Sequence, residues 1–152
     1  FNIIQTNIKE ANVLDLFAGS GALAIEALSR GAKHAILCDK SNYAIKIIKR
    51  NLEKTHLEEN AQIINSDYNK ALNSYKDTKF DLIFIDPPYK LDIAVDAISK
   101  IISLDLLEQD GIIVLETDNK ERELEKLKNI NVNVYDLRKY GRVTLIFLNR
   151  KG

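Results

Sequence analysis

A doubly wound α/β sheet, mostly parallel and closed by an antiparallel pair of strands, is the fold class that this sequence predicts. Three observations carry the expectation. Short apolar runs alternate with helix-period segments along most of the chain, which is the pattern of a parallel sheet covered on both faces. Each of the first four apolar runs stops at an aspartate or runs straight into one. The last two runs follow one another across a link too short for a parallel crossover, so they are antiparallel neighbours.

The elements follow in order. "NVLDLF" (12–17) reads as a buried strand, and "ALAIEALSRG" (22–31) as a helix with apolar spacing of three and four that stops at Gly31. "HAILCD" (34–39) is a second strand, followed by the helix "SNYAIKIIKRNLEKTH" (41–56), for which Ser41 is a suitable N-cap. Its basic residues Lys46, Lys49, Arg50 and Lys54 fall on or near the wet side of the period. "AQIINSD" (61–67) is a third strand with a short helical piece after it, around "YNKALNSY". "FDLIFID" (80–86) is a fourth strand, "LDIAVDAISKIIS" (91–103) a helix, "GIIVLET" (111–117) a fifth strand and "KERELEKLKN" (120–129) a charged, exposed helix. "NVNVYDLRKYG" and "RVTLIFLN" complete a seven-stranded sheet as the hairpin.

A chain of 152 residues is the size of one domain, here 1–152, and buries enough surface to need neither disulfide nor metal. The composition, 45% hydrophobic and 29% charged, is that of a globular protein. The formal net charge of zero gives no basic excess, although local basic patches are compatible with it. Cys38 has no partner in the chain, which fits a reducing cytoplasm, and its place within an apolar run makes it a small buried hydrophobe. No stretch reaches the length of a membrane span, so no membrane partner is expected. His34 and His56 lack metal-ligand spacing, so no metal is expected either. The chain begins at Phe1 and contains no methionine, so a missing upstream segment is expected.

In a doubly wound sheet the ligand lies at the carboxyl ends of the strands, near the switch in strand order. Asp15, Gly19, Asp39, Asp67 and Asp86 all fall there. "DLFAGSGALA" contains Gly19-x-Gly21-x-x-Ala24, which formally matches a dinucleotide fingerprint, and Asp39 stands where an acid would hold ribose hydroxyls. Those features suit NAD and S-adenosylmethionine alike. Asp15 separates the two, because a carboxylate near the helix mouth repels a diphosphate and suits a cationic amino acid end. Asp67 is then a candidate acceptor for an adenine amino group. The spacing Asp-x-x-x-Gly-x-Gly resembles the first motif of class I methyltransferases.

Both prolines of the chain stand in "DPPY", Asp86 to Tyr89. Pro87 and Pro88 fix two φ angles, remove two donors and leave carbonyl acceptors, with Asp86 as a further acceptor and Tyr89 as a stacking surface. A planar base with an exocyclic amine fits that set: its N–H groups are accepted, its ring stacks, and its nitrogen is aimed at an electrophilic methyl group. Such a base must be unpaired or flipped out to enter.

DPPY resembles the fourth motif of amino-methyltransferases that act on adenine N6, guanine N2 or cytosine N4. "VLDLFAGSGALAIEALSRGA" (13–32), "FDLIFIDPPY" and "RKYGRVTLIFL" (138–148) are similar to the bacterial 16S ribosomal RNA guanine-N2 methyltransferase family over nearly the whole chain. The resemblance implies a Rossmann-like class I methyltransferase sheet and S-adenosylmethionine as cofactor. It implies cofactor contacts at Asp15, Gly19, Gly21, Asp39 and Asp67, and a catalytic motif at Asp86, Pro87, Pro88 and Tyr89. The implied partner is ribosomal RNA or the small ribosomal subunit, with a monomeric cytoplasmic enzyme expected. Arg138, Lys139 and Arg142, flanking the hairpin turn, are the substrate-binding candidates. An adenine-N6 methyltransferase and an NAD-dependent oxidoreductase are the alternatives.

Overall fold

The computed structural model describes residues 1–88 and 92–151. Its strands are β1 (Asn12–Asp15), β2 (His34–Asp39), β3 (Ala61–Asn65), β4 (Phe80–Ile85), β5 (Leu107–Thr117), β6 (Val132–Tyr140) and β7 (Val143–Arg150). They form one sheet in the order β3-β2-β1-β4-β5-β7-β6. The first five run parallel to one another, β7 pairs antiparallel with β5, and β6 returns antiparallel along β7. The expected architecture is therefore present, with the closing hairpin at one edge.

The helices are α1 (Gln5–Ile8), α2 (Ala22–Ser29), α3 (Asn42–Thr55), α4 (Tyr68–Ser74), α5 (Ala94–Ser103) and α6 (Lys120–Leu127). The continuous apolar runs have their reason in the two faces. Along β4, Ile83 and Ile85 enter one core with Leu14, Ile36, Ile98 and Ile101. The alternate residues Leu82 and Phe84 enter the opposite core with Val13, Leu37, Ala24 and Ile48. A strand buried on both faces needs apolar residues at every position, because successive side chains point to opposite sides. Full burial of each large side chain stabilises the fold by roughly 1.5–3 kcal/mol.

Helix starts follow local chemistry. Ala44 N–H donates to Ser41 Oγ (3.2 Å) at the start of α3, as expected, and Lys70 N–H donates to Asp67 Oδ1 (2.9 Å) at the start of α4. Gly21, at φ 83°, opens α2, and a Cβ there would lie 3.1 Å from Leu37 Cδ2, so glycine lets the helix pack against β2. The buried Cys38 thiol donates to the Ser66 carbonyl (3.3 Å), and burial pushes it up to about 12, which makes it the inert residue expected.

Several boundaries differ from expectation. β1 ends at Asp15, β3 at Asn65 and β4 at Ile85, so Phe17, Asp67 and Asp86 stand in the loops past their strands. β5 starts four residues early, at Leu107, across the polar segment 108–110. The helix expected from residue 91 is observed from Ala94, with Leu91 outside the described residues. The short N-terminal turns, Asn2–Ile4 and α1, carry too few residues to show a period, yet they bury Ile4 and Ile8 and bring the Phe1 ring to 5.9 Å from Phe84. Among the described residues no helix is long and apolar enough to cross a membrane.

Candidate active site

The chain leaves β1 towards β2 on one side, while β4 lies on the other. A crevice must open between the two connections at the carboxyl ends of these strands. The structure has there a cavity of about 730 Å³, lined by the loop from Leu16 to Ser20 and by Asp39, Lys40, Ser66, Asp67, Tyr68, Asp86, Pro87, Pro88, Ile93 and Glu116 among others.

Backbone bonds hold the loop after β1. Leu16 N–H donates to the Phe84 carbonyl (3.2 Å), Ala18 N–H to the Cys38 carbonyl (2.8 Å) and Gly21 N–H to the Ala18 carbonyl (2.8 Å). Gly19 takes φ 59°, where a side chain is strained, and the space beside it is open for 4 Å. Its N–H donates to Asp39 Oδ2 (2.9 Å), while Ser41 N–H donates to Asp39 Oδ1 (2.9 Å). Asp39 is thus clamped between the first loop and the α3 start, with lone pairs left on both oxygens for a ligand. Asn51 on α3 donates to the Ser20 carbonyl (2.8 Å) and ties the loop tip to the same helix.

Asp67 caps α4 through one oxygen and reaches the cavity next to the aromatic wall formed by Phe17 and Tyr68, whose rings lie 5.6 Å apart at 43°. The Tyr68 hydroxyl donates to Asp96 Oδ2 (2.5 Å), which fixes that ring. Burial, reinforced by the carboxylate of Asp96, pushes the Tyr68 phenol up to about 12.

Asp15 takes a different place. It is 1% exposed, does not line the cavity, and neither of its oxygens completes a hydrogen bond. Burial raises its carboxyl to about 7; the Ala24 backbone N–H opposes the rise and the charge of Asp39 adds to it. Gly21 also stays out of the cavity wall and serves the turn behind it.

Asp86, Pro87 and Pro88 form the opposite wall from the first loop's elements. Tyr89 lies outside the described residues. Burial pushes Asp86 up to about 7, and a hydrogen bond with Glu116, the charge of Glu116 and the charge of Asp15 act in the same direction. Glu116 escaped the sequence reading. Its one signal was a carboxylate at the end of an otherwise apolar fifth strand, the position that Asp86 holds after the fourth.

Arg138, Lys139 and Arg142 do not line the cavity; all three are exposed on the closing hairpin. Register places the hairpin tip at the correct end of the sheet. Thr117, the last residue of β5, is opposite Thr144, and Thr144 is opposite Lys139. The turn from Tyr140 to Val143 therefore projects past the carboxyl end of β5, the end at which the cavity opens. Arg138 pairs with Asp136 (3.3 Å). Lys46, Lys49, Arg50 and Lys54 lie on the solvated face of α3. Among the described residues there is no group of three or more His, Cys, Asp or Glu that could hold a metal.

Comparisons with known proteins identify the family and the fold. The family model described as conserved hypothetical protein 95 matches residues 1–149. The chain is 37% identical to the Bacillus subtilis protein YlbH, provisionally named an rRNA methyltransferase, over 100% of this chain and 83% of that one. It is 33% identical to the Haemophilus influenzae ribosomal RNA small subunit methyltransferase D, over 78% of this chain but only 62% of that longer protein. A solved structure of the Escherichia coli protein yhhF, provisionally named a methyltransferase, superposes with a TM-score of 0.86 at 28% identity, covering 100% of this chain and 84% of that one. The seven-stranded sheet is the Rossmann-like class I methyltransferase sheet, and the chain belongs to the conserved hypothetical protein 95 family, that of the small-subunit rRNA methyltransferases D.

Proposed function

We propose that the chain is an S-adenosylmethionine-dependent methyltransferase acting on the exocyclic N2 amine of a guanine in small-subunit ribosomal RNA. One observation carries the reading: the cavity at the switch point joins the Gly19–Asp39 clamp and Asp67 on one side to Asp86, Pro87 and Pro88 on the other.

The residues present fit the cofactor. Asp15, Asp39, Asp67, Asp86 and Glu116 gather carboxyl groups at or beside one opening, which favours a ligand with ammonium and sulfonium charges and disfavours a diphosphate. Asp15 is buried without a hydrogen-bond partner, a cost that a nearby cation offsets. Asp39 would hold the ribose hydroxyls and Asp67 the adenine amino group, with Phe17 and Tyr68 as apolar walls. When bound, S-adenosylmethionine supplies an electrophilic methyl group.

The other wall acts on the substrate. Asp86 and the proline carbonyls accept N–H bonds from the target amine and orient its nitrogen, which supports the developing positive charge on that atom. A carboxyl group near pH 7 is also suited to take the amine's proton. The exposed Lys139 and Arg142 at the hairpin tip would meet RNA phosphates beside the opening, which gives binding without a basic excess in the whole chain. A monomer in the cytoplasm, working on rRNA or the small subunit, completes the reading; light scattering checks the oligomeric state.

The test is to incubate the protein with labelled S-adenosylmethionine and unmodified small-subunit rRNA or particles, then to analyse the nucleosides. N2-methylguanosine is expected. N6-methyladenosine would assign the adenine alternative, and absence of any methylated nucleoside would refute the reading.

A further inference from the structure

Tyr140, the last residue of β6, is 62% exposed, so its large ring adds little to either core. Lys139 before it and Arg142 in the turn after it are exposed as well. Among the described residues no hydrogen bond, ion pair or ring contact engages these three side chains, whereas Arg138 is held by Asp136 (3.3 Å).

Register decides which way the ring points. Glu116, which lines the cavity, is opposite Leu145 on β7, and Leu145 is opposite Arg138 on β6. Paired residues of neighbouring strands share a face, and so do residues two apart along one strand. Tyr140 therefore lies on the face from which Glu116 meets the cavity, while Lys139, opposite Thr144, lies on the other. Two strand spacings and two residues separate Tyr140 from Glu116, roughly 12 Å between Cα atoms. Tyr140 is paired with Val143, and only Gly141 and Arg142 link the two, so the tip has no slack.

A base that enters the cavity has left its stack. Flipping bares the faces of the bases beside it, and a neighbour on the same strand comes to the cavity mouth. An aromatic ring fixed there, with cations beside it, is the arrangement that holds unpaired nucleotides: the ring takes the face of a base and the cations take the backbone. Tyrosine suits the task, because ordering its ring fixes few torsions.

We propose that Tyr140 is a stacking platform for an unpaired nucleotide next to the target, and that it positions the RNA strand for entry of the target base. The proposal rests on the reading of the substrate as RNA and holds whichever base is methylated. Because every base has a face to stack, Tyr140 adds affinity and leaves the choice of sequence to other contacts.

Two variants isolate the ring. Tyr140→Leu removes it but keeps an apolar side chain against Val143, and Tyr140→Phe keeps it and loses only the hydroxyl. Filter binding of unmodified small-subunit rRNA, at several salt concentrations, compares both with the wild type. Affinity is expected to fall about tenfold in Tyr140→Leu and to stay within about twofold in Tyr140→Phe. The salt slope should remain that of the wild type in both, because stacking releases no counterions. A displaced hairpin tip would instead carry Lys139 and Arg142 away, so a loss of affinity with a lower slope would overturn the proposal. An equal loss in Tyr140→Phe would assign the contact to the hydroxyl and overturn the stacking. Unchanged affinity for naked rRNA in Tyr140→Leu would overturn it too, even where binding to the small-subunit particle falls, which would give the ring to a ribosomal protein. A wild-type protein that binds no rRNA would overturn this proposal and the RNA reading together; rRNA methylated by the wild type and bound as tightly by Tyr140→Leu would overturn this proposal alone.

Discussion

Replacing Asp15 with asparagine should stabilise the ligand-free protein at high pH and weaken its hold on the cofactor at the same time. The carboxyl is 1% exposed, without a hydrogen-bond partner, and raised from 3.8 to about 7, chiefly by burial. A folded-state value above the unfolded one means that the folded state binds the proton more tightly. The cost to stability is absent below pH 3.8, grows as pH rises, and levels off above about 7. At about 1.4 kcal/mol per pH unit, the full penalty is on the order of 4 kcal/mol above pH 7 and about 2 kcal/mol at pH 5. An asparagine amide carries its own burial cost, but that cost does not change with pH. The test is therefore the slope: thermal melts of both proteins from pH 5 to pH 8 without cofactor. The difference in melting temperature should move in favour of the variant by several degrees over this range, at about 2–4 °C per kcal/mol for a chain of this size. In the same variant, affinity for S-adenosylhomocysteine should fall by about tenfold, because the ammonium group loses a buried counter-charge. A pH-independent difference in melting temperature would refute the ionisation argument, and unchanged affinity would refute the cationic role of this site.

Asp86→Ala should abolish methyl transfer while S-adenosylhomocysteine affinity stays within a few fold; full turnover would remove Asp86 from the catalytic wall. With Asp86 raised to about 7, its acceptor form is populated only as pH rises, so kcat/KM in the wild type should climb through neutral pH, and a flat profile from pH 5.5 to 8.5 would contradict the assignment. Lys139→Ala and Arg142→Ala should each weaken rRNA binding a few fold and lower the salt slope by about one, without altering cofactor affinity, as filter binding at several salt concentrations will show. Gly21→Ala should lower the melting temperature, because φ 83° costs an alanine roughly 1–2 kcal/mol and its Cβ meets Leu37 Cδ2 at 3.1 Å; an unchanged melt would mean that the turn adapts.

The legible parts of this fold are those in which neighbouring residues answer to one constraint. Strands buried on both faces must be apolar throughout, so β2 and β4 were readable almost to the residue. The Ser41 cap and the glycine turn were readable because a single local bond or φ value explains each. The same logic fails where the constraint comes from elsewhere in the chain. The start of β5 is hidden because its polar residues 108–110 form an irregular stretch that pairing with other strands carries. Depth is equally invisible: Asp15 stands next to the glycine loop in sequence, but only the fold shows that it is buried while Asp39 faces the cavity. Glu116 lies thirty residues after Asp86, and only the β4–β5 register brings the two together. The hairpin cations were readable as candidates from the link length, and their position at the cavity end follows from the β5–β7 pairing.

Calorimetric titration with S-adenosylhomocysteine, in the wild type and in Asp39→Ala, tests the cofactor site most directly. Asp39 accepts from Gly19 and Ser41 and lines the cavity, so its loss removes both the clamp on the first loop and the acceptor for the ribose. Saturable binding at one site is expected, weakened by about ten- to a hundredfold in the variant. Binding of NADH in place of S-adenosylhomocysteine, or equal affinity in the two proteins, would contradict it.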